Sequence, residues 1–203
     1  MTLKTKNTPY LVGLLLLLYV GFALANRLDW SFIKVTSFGA NGISLANPLL
    51  TLLFYLVVLV LSFLLPSDLK HQLVFCRLEN PLPGSRIFTS LMHTDSRISP
   101  ANITKQYGKL PSDPVEQNRL WYRIYKEKQK DAVVSSSHGR WLLFRDSFAL
   151  TLLLLVPASA FTFWKSGLER GLVFMICLLA IAILLMVCAR NAANRFACNV
   201  LAR

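Results

Sequence analysis

Four stretches of this chain carry neither a charged residue nor a histidine: 10–25, 48–66, 147–164 and 172–188. They hold 16, 19, 18 and 17 residues, close to the roughly 20 apolar residues with which a helix crosses a hydrocarbon core. Backbone N–H and C=O groups find no water in hydrocarbon, so each run is expected to be a transmembrane helix. Only 16% of the 203 residues are charged, where a soluble domain carries about a quarter. The charges that do occur cluster between the runs, so the expected class is an all-α, multi-pass membrane protein with four spans. Pro157 lies inside the third run and predicts a kink there.

Lys and Arg give the orientation. With four spans, the N-terminal segment 1–9, the central segment 67–146 and the tail 189–203 share one face, which carries 18 basic residues. The two opposite connections, 26–47 and 165–171, carry 4. Basic residues concentrate on the cytoplasmic side. Both termini and the central segment are therefore expected in the cytoplasm, and the chain in a plasma (inner) membrane. A competing reading makes the first run a signal peptide, with Ala23-Leu24-Ala25 as its small-residue cleavage site. The remaining orientations would not change.

In the outer loop, Trp30, Phe32 and Phe38 suit the headgroup layer. The stretch SFGANGIS has turn chemistry and predicts a short hairpin. The second outer connection, KSGLERG, predicts a tight turn joining spans three and four.

The central segment is expected to be mainly helical but too small, and too sparsely apolar, to build a core alone. Pro81, Pro83 and Gly84 predict an irregular hinge. Ser99, Pro100 and Gly108 bracket a short helix, and Asp113, Pro114 and Glu116 start a longer one over 114–130. The SSSHG stretch at 135–139 reads as a flexible polar patch leading into span three.

The 114–130 helix is the chain's most distinctive polar feature. Arg119, Arg123, Lys126 and Lys130 recur at steps of four, three and four residues and so form one stripe. Trp121 and Tyr125 fall beside it on an apolar, aromatic face. Basic residues with stacking aromatics can bind single-stranded nucleic acid, but Glu116 and Glu127 dilute the field and no nucleic-acid fold signature surrounds them. Anionic lipid or a protein partner fits better, because cations and aromatic rings both suit the bilayer surface. An ordinary amphipathic helix packed on protein gives the same pattern. Arg119, Trp121, Arg123, Tyr125, Lys126 and Lys130 are thus the candidate docking residues.

Signatures of chemistry are missing. GxSxG, HExxH, Walker A and GxGxxG do not occur, and Cys76, Cys177, Cys188 and Cys198 lack metal-ligand spacing. No catalytic residue, cofactor or metal is expected; His93 and Asp95 are neighbours in sequence without a wider constellation. Asn102-Ile103-Thr104 fits a glycosylation acceptor but falls in the cytoplasmic segment. Charge-free spans argue against an ion-coupled transporter or proton relay, and no repeated halves are seen. Thr151, Ser159 and Thr162, with Ala158, Ala160, Ala180 and Ala182, make spans three and four the candidate self-association surface.

The expectation is a non-enzymatic membrane component, an oligomeric effector or anchor answering a cytoplasmic partner or signal. Its partners would be the lipid bilayer, copies of itself and a cytoplasmic protein, not nucleic acid. Small membrane effectors of anti-phage (antiviral) systems share this architecture, by fold-level analogy alone. The alternative is a channel or transport subunit whose copies enclose a pore. Reporter fusions at residue 110 and at residue 203 are expected to report the same cytoplasmic side; a residue-110 fusion active outside would reverse the assignment.

Overall fold

The computed structural model describes residues 3–27, 35–39, 42–45 and 65–203, together with seven positions between 53 and 64. The chain divides into two compact units.

The first unit comprises Met1–Pro66 and Leu143–Val187. Helix α1 spans Leu3–Ala25 and begins seven residues before the apolar run, taking Pro9 inside it. A hairpin follows, with β1 at Val35–Gly39 antiparallel to β2 at Gly42–Leu45 and Gly39 opposite Gly42. This is the hairpin that SFGANGIS predicts. The unit also holds the apolar stretches of two long helices whose full extents are Ala132–Ser166 and Leu168–Leu201.

Three described helices are long and apolar enough to cross a membrane: Thr5–Ala25, Ala132–Ser166 and Leu168–Leu201. The second predicted span, 48–66, lies largely outside the described residues, as do Trp30 and Phe32. Leu11, Val12, Leu15 and Leu16 of α1 bury against Leu150, and Leu18 against Phe174 and Leu178. Leu17, Val156, Leu168 and Leu184 face outward at 65–73% exposure. Water would penalise so many bare aliphatic side chains, whereas hydrocarbon does not.

The outer turn predicted at 165–171 shrinks to one residue. Gly167 alone separates the two long helices, at φ 84°, a left-handed position that glycine takes without steric cost. Its amide donates to the Phe163 carbonyl at 3.2 Å. Gly171 sits where any Cβ would run into the Phe163 ring, so its bare backbone permits the close approach. Helix Ala132–Ser166 runs uninterrupted through Pro157.

The second unit comprises Ser67–Leu142 and Cys188–Arg203. Helix α2 spans Ser67–Phe75, and 3₁₀ turns follow at Pro83–Arg86 and Leu91–His93. Helix α3 spans Pro100–Tyr107 and α4 spans Pro114–Lys128. The start of α5 (Ala132–Ser166) and the end of α6 (Leu168–Leu201) complete it. The central segment shares its core with the C-terminal tail, which joins it in this unit. Val74, Ile87, Ile124, Val134 and Val200 are all wholly buried. Residues scattered along the sequence converge once 188–203 packs among them.

Capping decides where these helices begin. The Ser99 hydroxyl accepts from the Asn102 amide, and the Asp113 carboxylate from the amides of Val115 and Glu116. Both starts agree with the sequence. The SSSHG patch does not: it lies inside α5. Asp131 accounts for this, its Oδ1 accepting from the Val133 and Val134 amides at 2.8 and 3.1 Å. Ser137 then bonds back to the Val134 carbonyl. The Val134 amide foremost, with the Val133 amide and the Arg203 charge, holds the Asp131 carboxyl below its ordinary range.

A carboxyl lowered in the folded state stabilises it above the unfolded value of about 3.9, and that contribution fades as pH falls through the lower folded value. Asp131→Ala is expected to speed hydrogen exchange of the first amides of α5, and Asp131→Asn to preserve most of the protection. Acidification through the lowered folded value, beneath the ordinary carboxyl value of about 3.9, should mimic Asp131→Ala; exchange insensitive to both would remove this cap from the account.

Candidate docking face on helix α4

Helix α4 turns two chemically different faces outward and inward. Gln117, Trp121 and Ile124 are its buried positions. Gln117 is 1% exposed; its Oε1 accepts from the Phe88 amide at 3.0 Å and the Thr89 amide at 3.3 Å, and its Nε2 donates to the Ser112 carbonyl. A buried amide so fully used ties the 88–89 backbone and the Ser112 loop to α4. The Trp121 indole donates to the Ala197 carbonyl on α6 at 3.1 Å.

Around that bond lies an aromatic cluster. Trp121 stacks on Tyr125 with centroids 5.8 Å apart, and both rings meet Phe196 edge-on at 5.4 Å. His138 of α5 stacks on Phe196 at 4.7 Å, and its Nδ1 lies 3.0 Å from the Tyr125 hydroxyl. Burial raises the Tyr125 pKa, the Lys126 charge opposing it.

The six candidate docking residues thus divide. Trp121 is buried and Tyr125 half-buried against α6, so these two hold the unit together. Arg119, Arg123, Lys126 and Lys130 are exposed. Lys130 lies past the end of α4 at Lys128, two residues short of the predicted helix end. Arg119 pairs with Glu116 at 2.7 Å, a solvated pair of small energetic weight. The Lys126 ammonium sits 5.2 Å from the centre of the Tyr122 ring, and Tyr122 is half exposed. Tyr122 is therefore an aromatic residue on the basic face, although the six candidate docking residues leave it out.

Pro83 and Gly84, expected as a hinge with Pro81, are buried in a 3₁₀ turn. A Cβ at Gly84 would collide with Asn118 and crowd Trp121. The segment is irregular, as predicted, but forms a packed corner against α4. Asp95 is held by Arg97 through two bonds of 2.9 and 2.6 Å, which lower its pKa. Arg97 in turn donates to Asn199. The carboxylate beside His93 is thereby committed to a structural pair. Arg190, two residues past the fourth apolar run, donates to the Val74 carbonyl and the Cys76 thiol. Among the described residues no group of three or more His, Cys, Asp or Glu side chains is placed to hold a metal.

The span residues weighed for self-association are mostly turned inward. Thr151, Ser159, Thr162 and Ala182 are buried. Thr162 accepts from the Asn26 amide at 3.0 Å, and Ser166 donates to the Asn26 carbonyl oxygen at 3.1 Å. This polar knot ties the end of α1 to α5. Comparison with protein-family models, curated proteins and solved structures finds no match.

Trp121→Phe keeps the ring packing but removes the bond to Ala197, at an expected cost of about 1 kcal/mol. Trp121→Ala should cost about 3–5 kcal/mol. Arg123→Ala and Lys130→Ala should stay within about 0.5 kcal/mol, as exposed substitutions do. Denaturant titration in detergent orders these four; an Arg123→Ala loss equal to that of Trp121→Ala would show that the stripe is structural.

Proposed function

We propose that this chain is a non-enzymatic, multi-pass membrane protein acting as an oligomeric effector or anchor, whose second unit receives a cytoplasmic partner or signal. One observation carries the reading. Helix α4 spends its apolar side on the core and leaves Arg119, Arg123 and Lys126, with Tyr122, on the open side, and Lys130 is exposed just past its end. Cations with an exposed aromatic ring suit an anionic surface, either a charged leaflet or an acidic protein patch.

The alternative, a channel or transport subunit, needs polar residues that copies could turn toward a shared path. Thr151, Ser159 and Thr162 are buried within the first unit. The outward side of α6 presents Val173, Ile176, Ile183 and Leu184. That distribution favours an anchor over a pore. An anti-phage effector remains one setting for such a protein, by analogy of architecture.

Reversing Arg119, Arg123 and Lys126 to Glu is expected to lower co-sedimentation with phosphatidylglycerol liposomes, or recovery of a co-purifying protein, with the fold unchanged by circular dichroism. Undiminished association in both assays would refute the docking role. In planar bilayers the wild-type protein should be electrically silent; discrete, reproducible conductance steps would replace the anchor with the pore.

A further inference from the structure

Three arginines of the second unit converge on the C-terminal end of α2. That end closes with Cys76 at φ 51° and the Arg77 amide donating to the Gln72 carbonyl at 3.2 Å, a left-handed cap of the Schellman type. The turn places Arg77 just beyond the helix. Arg190 of α6 reaches the same end, through Nε to the Val74 carbonyl and through Nη2 to the Cys76 thiol at 3.0 Å. Arg86 lies over the Phe75 ring, 5.3 Å from its centre. Four consecutive residues, 74–77, are thus touched by or contribute three guanidinium groups.

None of these cations has an acidic partner among the described residues. Acidic side chains there pair with other cations, among them Asp95 with Arg97, Glu116 with Arg119, and Asp146 with Arg145. Arg190 meets a carbonyl and a thiol, and Arg86 meets a ring. Arg86 Nη1 is buried with no hydrogen-bond acceptor. Its pKa is lowered first by burial and then by the like charges of Arg77 and Arg190. An unsatisfied buried donor and uncompensated like charges both cost stability. An anion entering among the three would relieve both at once.

We infer that Arg77, Arg86 and Arg190 form a binding site for a phosphate group at the end of α2. Phosphate is the matching anion because it offers several oxygens to planar guanidinium forks, which bind it bidentately. The place in the chain points to the bilayer edge. Arg190 stands two residues past the apolar run 172–188, and α2 starts directly after the run 48–66. A phospholipid headgroup and free phosphate offer the same chemistry there. The inference rests on the membrane reading but is independent of the α4 stripe.

Cys76, bonded to Arg190 and exposed, is a built-in reporter. The full-length protein in phosphatidylcholine nanodiscs is labelled with maleimide, and peptide mass spectrometry reads the rate at Cys76. Exchanging part of the lipid for phosphatidylglycerol, or adding inorganic phosphate against chloride of equal ionic strength, is expected to slow that rate. Slowing by phosphatidylglycerol alone identifies a headgroup site; slowing by inorganic phosphate identifies a site for the free ion. Arg77→Gln with Arg86→Gln should abolish the protection. Arg77→Gln alone, which removes no described side-chain contact, should weaken binding about tenfold, the equivalent of one charged hydrogen bond. The α4 reversal variant should keep the protection, separating this site from the docking face. Equal rates in every arm, or protection that survives both arginine variants, overturns the site.

Discussion

The second unit depends on one seam, where the Trp121 indole meets the last turns of α6. The central segment has enough apolar residues for a core only when Ala193, Phe196, Ala197 and Val200 of the tail are added. The indole bond to Ala197 fixes the register of that addition, and the rings of Tyr125, His138 and Phe196 fill the space around it. Aromatic pairs in such edge-on arrangements contribute about 0.5–1.5 kcal/mol beyond area burial. The seam also sorts the faces of α4. With Trp121 turned to the tail and Ile124 buried, helical geometry leaves Arg119, Arg123 and Lys126 no direction but outward.

The first unit follows a different logic. Its interior is mostly apolar, with polar bonding at Asn26, Thr162 and Ser166 and between Arg145 and Asp146. Its outside is aliphatic too. A helix apolar on every side cannot be stabilised by sequestering one face from water, so close packing must do that work. Gly171 beneath the Phe163 ring is one place where the packing depends on a missing side chain. Charged groups are accordingly sparse in it: Arg145 and Asp146 pair with each other in its interior, and the other described ones stand near helix ends.

Much of this was legible in the sequence because it rests on local chemistry. Ser99 and Asp113 announce helix starts through oxygen acceptors one residue ahead of a proline, and both starts stand where expected. The SFGANGIS hairpin is similarly local. The misreadings were tertiary. Ser135 to Gly139 resemble a loop because serine and glycine favour turns over helix interiors, yet the Asp131 cap and the stacking of His138 on Phe196 carry the helix through them. Arg190 has the position of a snorkelling residue, and only the fold brings the α2 terminus within its reach. The candidate docking stripe was visible as a period, but which aromatic rings belong to it was not. That required knowing where the tail packs.

Gly167 sets a limit on what can happen at its end of the molecule. A joint of one residue between two long helices leaves no slack for either to slide or rotate far without its neighbour. It offers little backbone to a protease and almost none to an antibody. Any contact made there must use side chains of the flanking helical turns, such as the exposed Trp164 and Leu168, and not a loop.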